Sequence, residues 1–207
     1  MSTKTVLITG ATSGIGKATA YRLALSKMQL IICGRRTEEL EKIREDLSKL
    51  TAVTSLCFDV SDNNQVVKSI ESIPEDFKQI GILINNAGAL VNKPLSEVSL
   101  ADLHKSYGVN VFGPYLLIQK LLPQLSEKAH IVNISSVGGI QGSVKFAGLS
   151  AYSSAKGAIN VLTECLQTEF EQSTHWSFNA LALGAIQTEM LNEAFPGLQA
   201  PLKPEQL

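Results

Sequence analysis

The sequence predicts an α/β protein: one doubly wound parallel sheet, helices on both faces, strands in the order 3-2-1-4-5-6. Three observations carry this. Short β-branched runs alternate with longer helical patterns along the whole chain. Most of those runs are apolar at consecutive positions, as strands covered by helices on both sides must be. The first run leads directly into a glycine-rich turn and a helix. Alternation of this kind implies parallel pairing through right-handed crossovers.

The strand candidates are TVLIT (5–9), QLIIC (29–33), VTSLCF (53–58), IGILINN (80–86), HIVNIS (130–135) and WSFNALAL (176–183). Helical patterns lie between them near 14–26, 37–49, 62–72, 99–125 and 151–172. Repeats, low-complexity stretches and linkers are absent. A chain of 207 residues can bury one sizeable core and is too short for two ordinary domains, so a single domain over 1–207 is expected.

Composition narrows the function classes. The formal net charge is -1 and no basic stripe or block is present, which argues against nucleic-acid binding. The apolar run in MSTKTVLITG is too short for a signal peptide, and no later stretch is long enough to span a bilayer. A cytoplasmic protein with no membrane partner is expected. Cys33, Cys57 and Cys165 are odd in number and widely spaced, and read as small hydrophobes in a reducing compartment. His104, His130 and His175 lack partners at metal-ligand spacing, so no metal is expected.

The first strand runs into TGATSGIG, with Gly10, Gly14 and Gly16, then a helix beginning KATAYRLA. Glycines here let the chain turn sharply and let a pyrophosphate approach the helix N-terminus, where free N–H groups and the dipole favour anions. A turn of this kind directly after the first strand makes the sheet a Rossmann-type, dinucleotide-binding one. An acidic residue at the end of the second strand would hold the ribose 2′-hydroxyl of NAD. That strand instead ends Cys33-Gly34-Arg35-Arg36. Guanidinium groups can bind a 2′-phosphate bidentately, so NADP (NADPH) is favoured over NAD. The competing reading is that both arginines are solvated charges paired with Glu38 and Glu39.

With these motifs in order, the chain resembles the short-chain dehydrogenase/reductase family over essentially its whole length. TGATSGIG resembles the family's cofactor loop, implying contacts from Gly10, Thr12, Ser13, Gly14, Ile15 and Gly16. Asp59-Val60 is similar to the pair beside the adenine. Asn85-Asn86-Ala87-Gly88 resembles the NNAG motif after the fourth strand, and Asn110 lies in the helix motif YGVNVFG. Ser135-Ser136 ends the fifth strand, and Tyr152 with Lys156 forms Y-x-x-x-K. The segment GAIQTEM, with Gly184, Ile186 and Thr188, is similar to the stretch that contacts the nicotinamide.

The resemblance implies a carbonyl–alcohol oxidoreductase acting on a small molecule. Tyr152 would exchange a proton with the substrate oxygen. Lys156 would favour the phenolate and bind the nicotinamide ribose. Ser136 would orient the substrate carbonyl, and Asn110 would hold a water that links the lysine to solvent. A phenol is a poor base at neutral pH, so a neighbouring ammonium has a chemical purpose. An NAD-dependent dehydrogenase and a non-catalytic NADP-sensing protein are the alternatives.

Four departures from the family pattern bear on these expectations. The loop VGGIQGSVKFAGLSA between Ser136 and Tyr152 is enlarged, and Val144, Phe146 and Leu149 would give the substrate an apolar wall. A small, largely apolar substrate is expected, the loop being read as offering no basic or acidic lining. The family's Pro-Gly after the sixth strand is Leu183-Gly184, and SKMQ before the second strand lacks a glycine C-cap. The chain ends at PLKPEQL, where the family continues into a further helix and a seventh strand. A partial chain is therefore expected, with Phe195, Pro196 and Leu198 opening an unanchored lid. Family members assemble as homodimers or homotetramers through the two long helices, here 99–125 and 151–172, and the same is expected here.

Overall fold

The structure, a computed structural model, describes residues 5–207. The expected domain span begins at residue 1, and its first four residues lie outside the described ones. Six strands form one parallel sheet in the order β3-β2-β1-β4-β5-β6. They are β1 (Thr5–Thr9), β2 (Gln29–Gly34), β3 (Val53–Cys57), β4 (Ile80–Asn85), β5 (Leu125–Ser136) and β6 (Ser177–Leu183). The helices are α1 (Gly14–Leu25), α2 (Thr37–Ser48), α3 (Asn63–Glu71), α4 (Leu100–Tyr107), α5 (Gly113–Leu121), α6 (Ser150–Phe170) and α7 (Glu189–Ala194).

The doubly apolar strands are explained by two cores. In β1, Val6 and Ile8 face Ala20, Ala24, Leu40, Ile43 and Leu47 of α1 and α2. Leu7 between them faces the opposite cluster, with Val66 and Ile70 of α3 and Leu117 and Leu121 of α5. Each fully buried Leu or Ile contributes about 1.5–3 kcal/mol of apolar transfer. On the α1 side the sheet thins toward β6. Val132 and Ile134 of β5 are half-buried there, and Leu181 of β6 stays 47% exposed.

The expected helix over 99–125 is interrupted. Ser99 caps α4 in a reciprocal capping box with Asp102. A π turn, Gly108–Phe112, then separates α4 from α5. Such a turn inserts one residue into the helical ladder and turns side chains onto a new face. Asn110 sits at its centre and is 1% exposed. Two glycines flank the turn for packing reasons. A Cβ on Gly113 would lie 2.8 Å from the Val60 carbonyl oxygen, and one on Gly108 3.3 Å from Ser61.

The chain changes direction across the sheet between β1 and β4, which creates the crevice where open α/β sheets bind ligands. The tail beyond α7 is tied back rather than left unanchored, contrary to the expectation for the lid. Gln187 N–H donates to the Leu202 carbonyl at 2.8 Å, Ile186 bridges Leu202, and the Pro204–Gln206 turn rests on α1.

Candidate active site

At the crevice, β1 ends in Thr9 and Gly10, and the loop climbs to α1. Gly10 (φ +68°) and Gly14 (φ +52°) adopt left-handed conformations natural to glycine. A Cβ on Gly16 would collide with the Gly10 carbonyl oxygen and the Asn86 amide. Ser13 caps α1 without a side-chain bond, and the first turn of the helix carries no acidic residue. Among the described residues, nothing accepts the N–H groups of Ile15 and Gly16. This is a cradle of free donors at a dipole's positive end, and a pyrophosphate fits it.

The loop is tied to β4 by side chains on both sides. Asn86 Nδ2 donates to the carbonyls of Thr9 (2.9 Å) and Gly10 (3.2 Å). The Thr9 hydroxyl accepts from the backbone N–H groups of Asn86 and Ala87, each at 3.0 Å. Thr9 is 2% exposed and was not singled out from sequence, where it is one more β-branched strand residue. Asn110 holds the next residue pair: Ala89 N–H donates to its Oδ1 at 3.3 Å, and its Nδ2 donates to the Ala89 and Ser106 carbonyls at 2.7 and 2.8 Å. Its side chain is thus a clamp on the turn after Asn85-Asn86-Ala87-Gly88. A Cβ on Gly88 would come within 3.4 Å of that amide oxygen.

Neither arginine after β2 pairs with Glu38 or Glu39. Arg35 Nη1 donates to Asp59 at 3.3 Å. Arg36 Nη2 donates to the Thr12 carbonyl at 3.3 Å and lies 3.7 Å from Glu189 of α7. Both guanidiniums therefore rim the cofactor crevice. Partial burial by itself would raise the Asp59 pKa, but bonds from Ser61 and Arg35 outweigh it and hold the carboxyl below its ordinary value. Val60, next to it, is buried against α5.

The side chains with acid–base chemistry lie at the ends of β5 and α6. Ser136 closes β5, and its Oγ accepts from Gly138 N–H at 3.2 Å. Tyr152 and Lys156 stand one turn apart on α6, with Nζ 5.7 Å from the centre of the phenol ring. Lys156 is 4% exposed, and Nζ donates to the Ile134 carbonyl at 2.7 Å. Burial lowers its pKa to about 8. Burial also raises the Tyr152 pKa, the largest influence on it, while the Ser136 hydroxyl opposes the rise. In the chain alone the net shift is upward, toward the neutral phenol, and so runs against the pull expected from the ammonium.

Backbone contact locks this group together. A Cβ on Gly139 would lie 2.5 Å from the carbonyl carbon of Lys156, and the Ser135 hydroxyl donates to the Lys156 carbonyl at 3.1 Å. Behind them a buried relay crosses from β4 to α6. Asn85 donates to Asn133 at 2.8 Å and Asn133 to Thr163 at 2.9 Å.

The remaining expected residues divide. Thr188 caps α7 by accepting from Leu191 N–H, and its methyl group would be 3.2 Å from a Cβ on Gly14. The lid therefore starts against the phosphate loop. Ile186 is buried and Gly184 is exposed in open space. In the enlarged loop, Val144 is 74% exposed and Phe146 57%, whereas Leu149 is buried at the start of α6. Leu149 thus supplies packing. The loop is also not purely apolar, because Lys145 folds back onto it.

With fold and site in view, comparison with known proteins settles the class: the protein is an NAD(P)-dependent oxidoreductase. It belongs to the short chain dehydrogenase family, which it matches over residues 4–199. It is 36% identical over 185 residues to sulfoacetaldehyde reductase 2 of Chromohalobacter salexigens, covering 89% of this chain and 73% of that protein. It is 38% identical over 198 residues to the NADP-dependent 3-hydroxy acid dehydrogenase of Schizosaccharomyces pombe, covering 94% and 76%. A dehydrogenase/reductase from Sinorhizobium meliloti 1021 has the same fold, with a TM-score of 0.89 at 24% identity over 100% of this chain and 85% of that one. Among the described residues, no helix is long and apolar enough to cross a membrane, and no cluster of His, Cys, Asp and Glu has metal-binding geometry.

Proposed function

We propose that the protein reduces a small carbonyl compound to the alcohol, using NADPH, with Tyr152 as the general acid. The observation that carries this is the half-buried phenol of Tyr152, one helical turn from Lys156 on α6, with Ser136 at the end of the strand that α6 packs on. When bound, the cofactor supplies the hydride. Ser136 holds the substrate oxygen by a hydrogen bond and so fixes the carbonyl for attack. Tyr152 gives its proton to that oxygen as the alkoxide forms. Lys156, beside the ring, limits the cost of the resulting phenolate and can reload it with a proton. Asn110 acts on the turn bearing Gly88 and keeps that wall of the crevice in place.

The preference for NADP rests on Arg35 and Arg36 and on the absence of a carboxylate at the end of β2. The S. pombe relative, by its name, also uses NADP. Arg35 would leave Asp59 for a 2′-phosphate, whose charge and three acceptor oxygens exceed what one carboxylate offers.

Self-association is proposed through α4, α5 and α6. Leu103, Phe112, Tyr115 and Val161 are exposed on that side, beside a groove of about 690 Å³ lined by Leu95, Leu103, Tyr107, Phe112 and Ala151. A second copy would cover this apolar surface.

Replacement of Tyr152 by Phe tests the mechanism. The variant should retain NADPH binding by fluorescence and lose about 10²- to 10⁴-fold in kcat for carbonyl reduction. Undiminished turnover would exclude Tyr152 as the acid.

A further inference from the structure

Between Ser136 and α6, residues 137–149 contain one charged side chain, Lys145, and no carboxylate. An exposed lysine ordinarily leaves its ammonium in water, because holding the side chain still costs rotamer entropy. Lys145 is held. Its Nζ donates to the Ile140 carbonyl at 2.6 Å, to Ser143 Oγ at 2.7 Å and to the Ser143 carbonyl at 3.3 Å. The Ser143 hydroxyl in turn lies 2.6 Å from the Val137 carbonyl. The ammonium is thus two hydrogen bonds from the residue that follows Ser136.

All of its acceptors are neutral. Arg35, Arg36 and Lys93 pair with Asp59, Glu189 and Asp102, whereas Lys156, buried in the site, and Lys145, on the exposed loop, are both held by neutral acceptors. Among the described residues Lys145 has no carboxylate within ion-pair distance. Its loop is also shaped to hold it. Gly142 (φ +78°) and Gly148 (φ +83°) allow the chain to fold back, and Lys93 N–H donates to the Gly148 carbonyl at 3.0 Å, fixing the loop to the strand-β4 side of the crevice. A fixed positive charge without a carboxylate partner therefore stands on the exposed loop that joins Ser136 to the helix bearing Tyr152.

We propose that Lys145 selects substrates that carry an acid group, carboxylate or sulfonate, a few bonds from the carbonyl: short oxo acids and acidic aldehydes. The acid group would replace one neutral acceptor with a charged one, and a charge-assisted bond is about twice as strong as a neutral one. This revises the apolar substrate suggested by Val144 and Phe146, and it rests on the reading of the site as a carbonyl reductase.

The test compares wild type, K145A and K145R on matched pairs with NADPH. Acetoacetate and succinate semialdehyde are each paired with the methyl ester, and sulfoacetaldehyde with methylsulfonylacetaldehyde. In wild type the anionic member should be preferred at least tenfold in kcat/KM. K145A should raise KM for the anionic members about 10- to 100-fold while kcat and the neutral members stay within about twofold. K145R should keep most of the preference, and added salt should weaken it in wild type alone. The carboxylate and sulfonate arms separate the two acid types. Equal losses on acids and neutral partners, or a wild type that prefers the neutral partners, would overturn the role of Lys145 and leave the reductase reading standing. No reduction of any carbonyl by wild type would overturn both.

Discussion

Lys156 and Tyr152 carry opposite consequences for the pH dependence of stability. The Lys156 pKa in the folded chain, about 8, lies below the ordinary lysine value of 10.5. Folding therefore penalises its charged form. The penalty is complete below pH 8 and is relieved as pH rises toward 10.5, because the unfolded chain holds the extra proton over that window. It amounts to about 3 kcal/mol. The stability of the cofactor-free wild type should accordingly rise by about 2–3 kcal/mol relative to Lys156→Met between pH 7 and pH 10, read by urea unfolding. Tyr152 is shifted upward, so its contribution is lost as pH climbs above 10, where the unfolded phenol ionises first. A cofactor or substrate that keeps Lys156 charged would cancel the first effect. The same measurement with saturating NADPH should therefore show a flatter profile.

The elements divide between those the sequence announces and those it hides. The six strands and their order were legible because a parallel strand, buried on both faces, reads as a continuous apolar run, as TVLIT and QLIIC do. The cradle was legible from Gly10, Gly14 and Gly16, since glycine spacing directly reports where backbone must approach backbone. The π turn at Gly108–Phe112 was not, because Gly108, Gly113 and Pro114 lower helix propensity without specifying a π turn, and the break comes from a tertiary partner. Asn110 satisfies Ala89, 21 residues away, and the turn aims it there. Thr9 and Lys145 were hidden for the same reason: their partners are set by the fold and leave no local pattern. Replacing Asn110 by Ala should leave both Ala89 backbone groups buried and unpaired, costing about 2–4 kcal/mol in urea unfolding. Gly113→Ala should push α5 from the Val60 carbonyl and cost about 1–3 kcal/mol by the same measure.

At the scale of the whole molecule, ligand binding and self-association are the observables. NADPH at about 100 times its Kd should stabilise the fold by about 2.7 kcal/mol. For a chain of this size that is a rise in Tm of about 5–10 °C. NADH at equal concentration should give a smaller rise, and Arg35→Glu should abolish the difference. An equal shift from both cofactors would remove Arg35 as the selector. Val161→Glu should convert an associated wild type to monomer in sedimentation. The close packing of Gly139 on the backbone of Lys156 has a consequence at this scale too. It makes Ser136, Tyr152 and Lys156 one frame, closed before the residues from Ile140 to Leu149 begin. That loop lies outside the frame, held by its own Ser143 and Lys145 bonds and by Lys93, and can be exchanged without touching it. Chimeras in which a relative's loop is spliced between Ile140 and Leu149 should keep the chemical step intact while trading one range of accepted carbonyl compounds for another, which makes this chain a chassis for directed evolution.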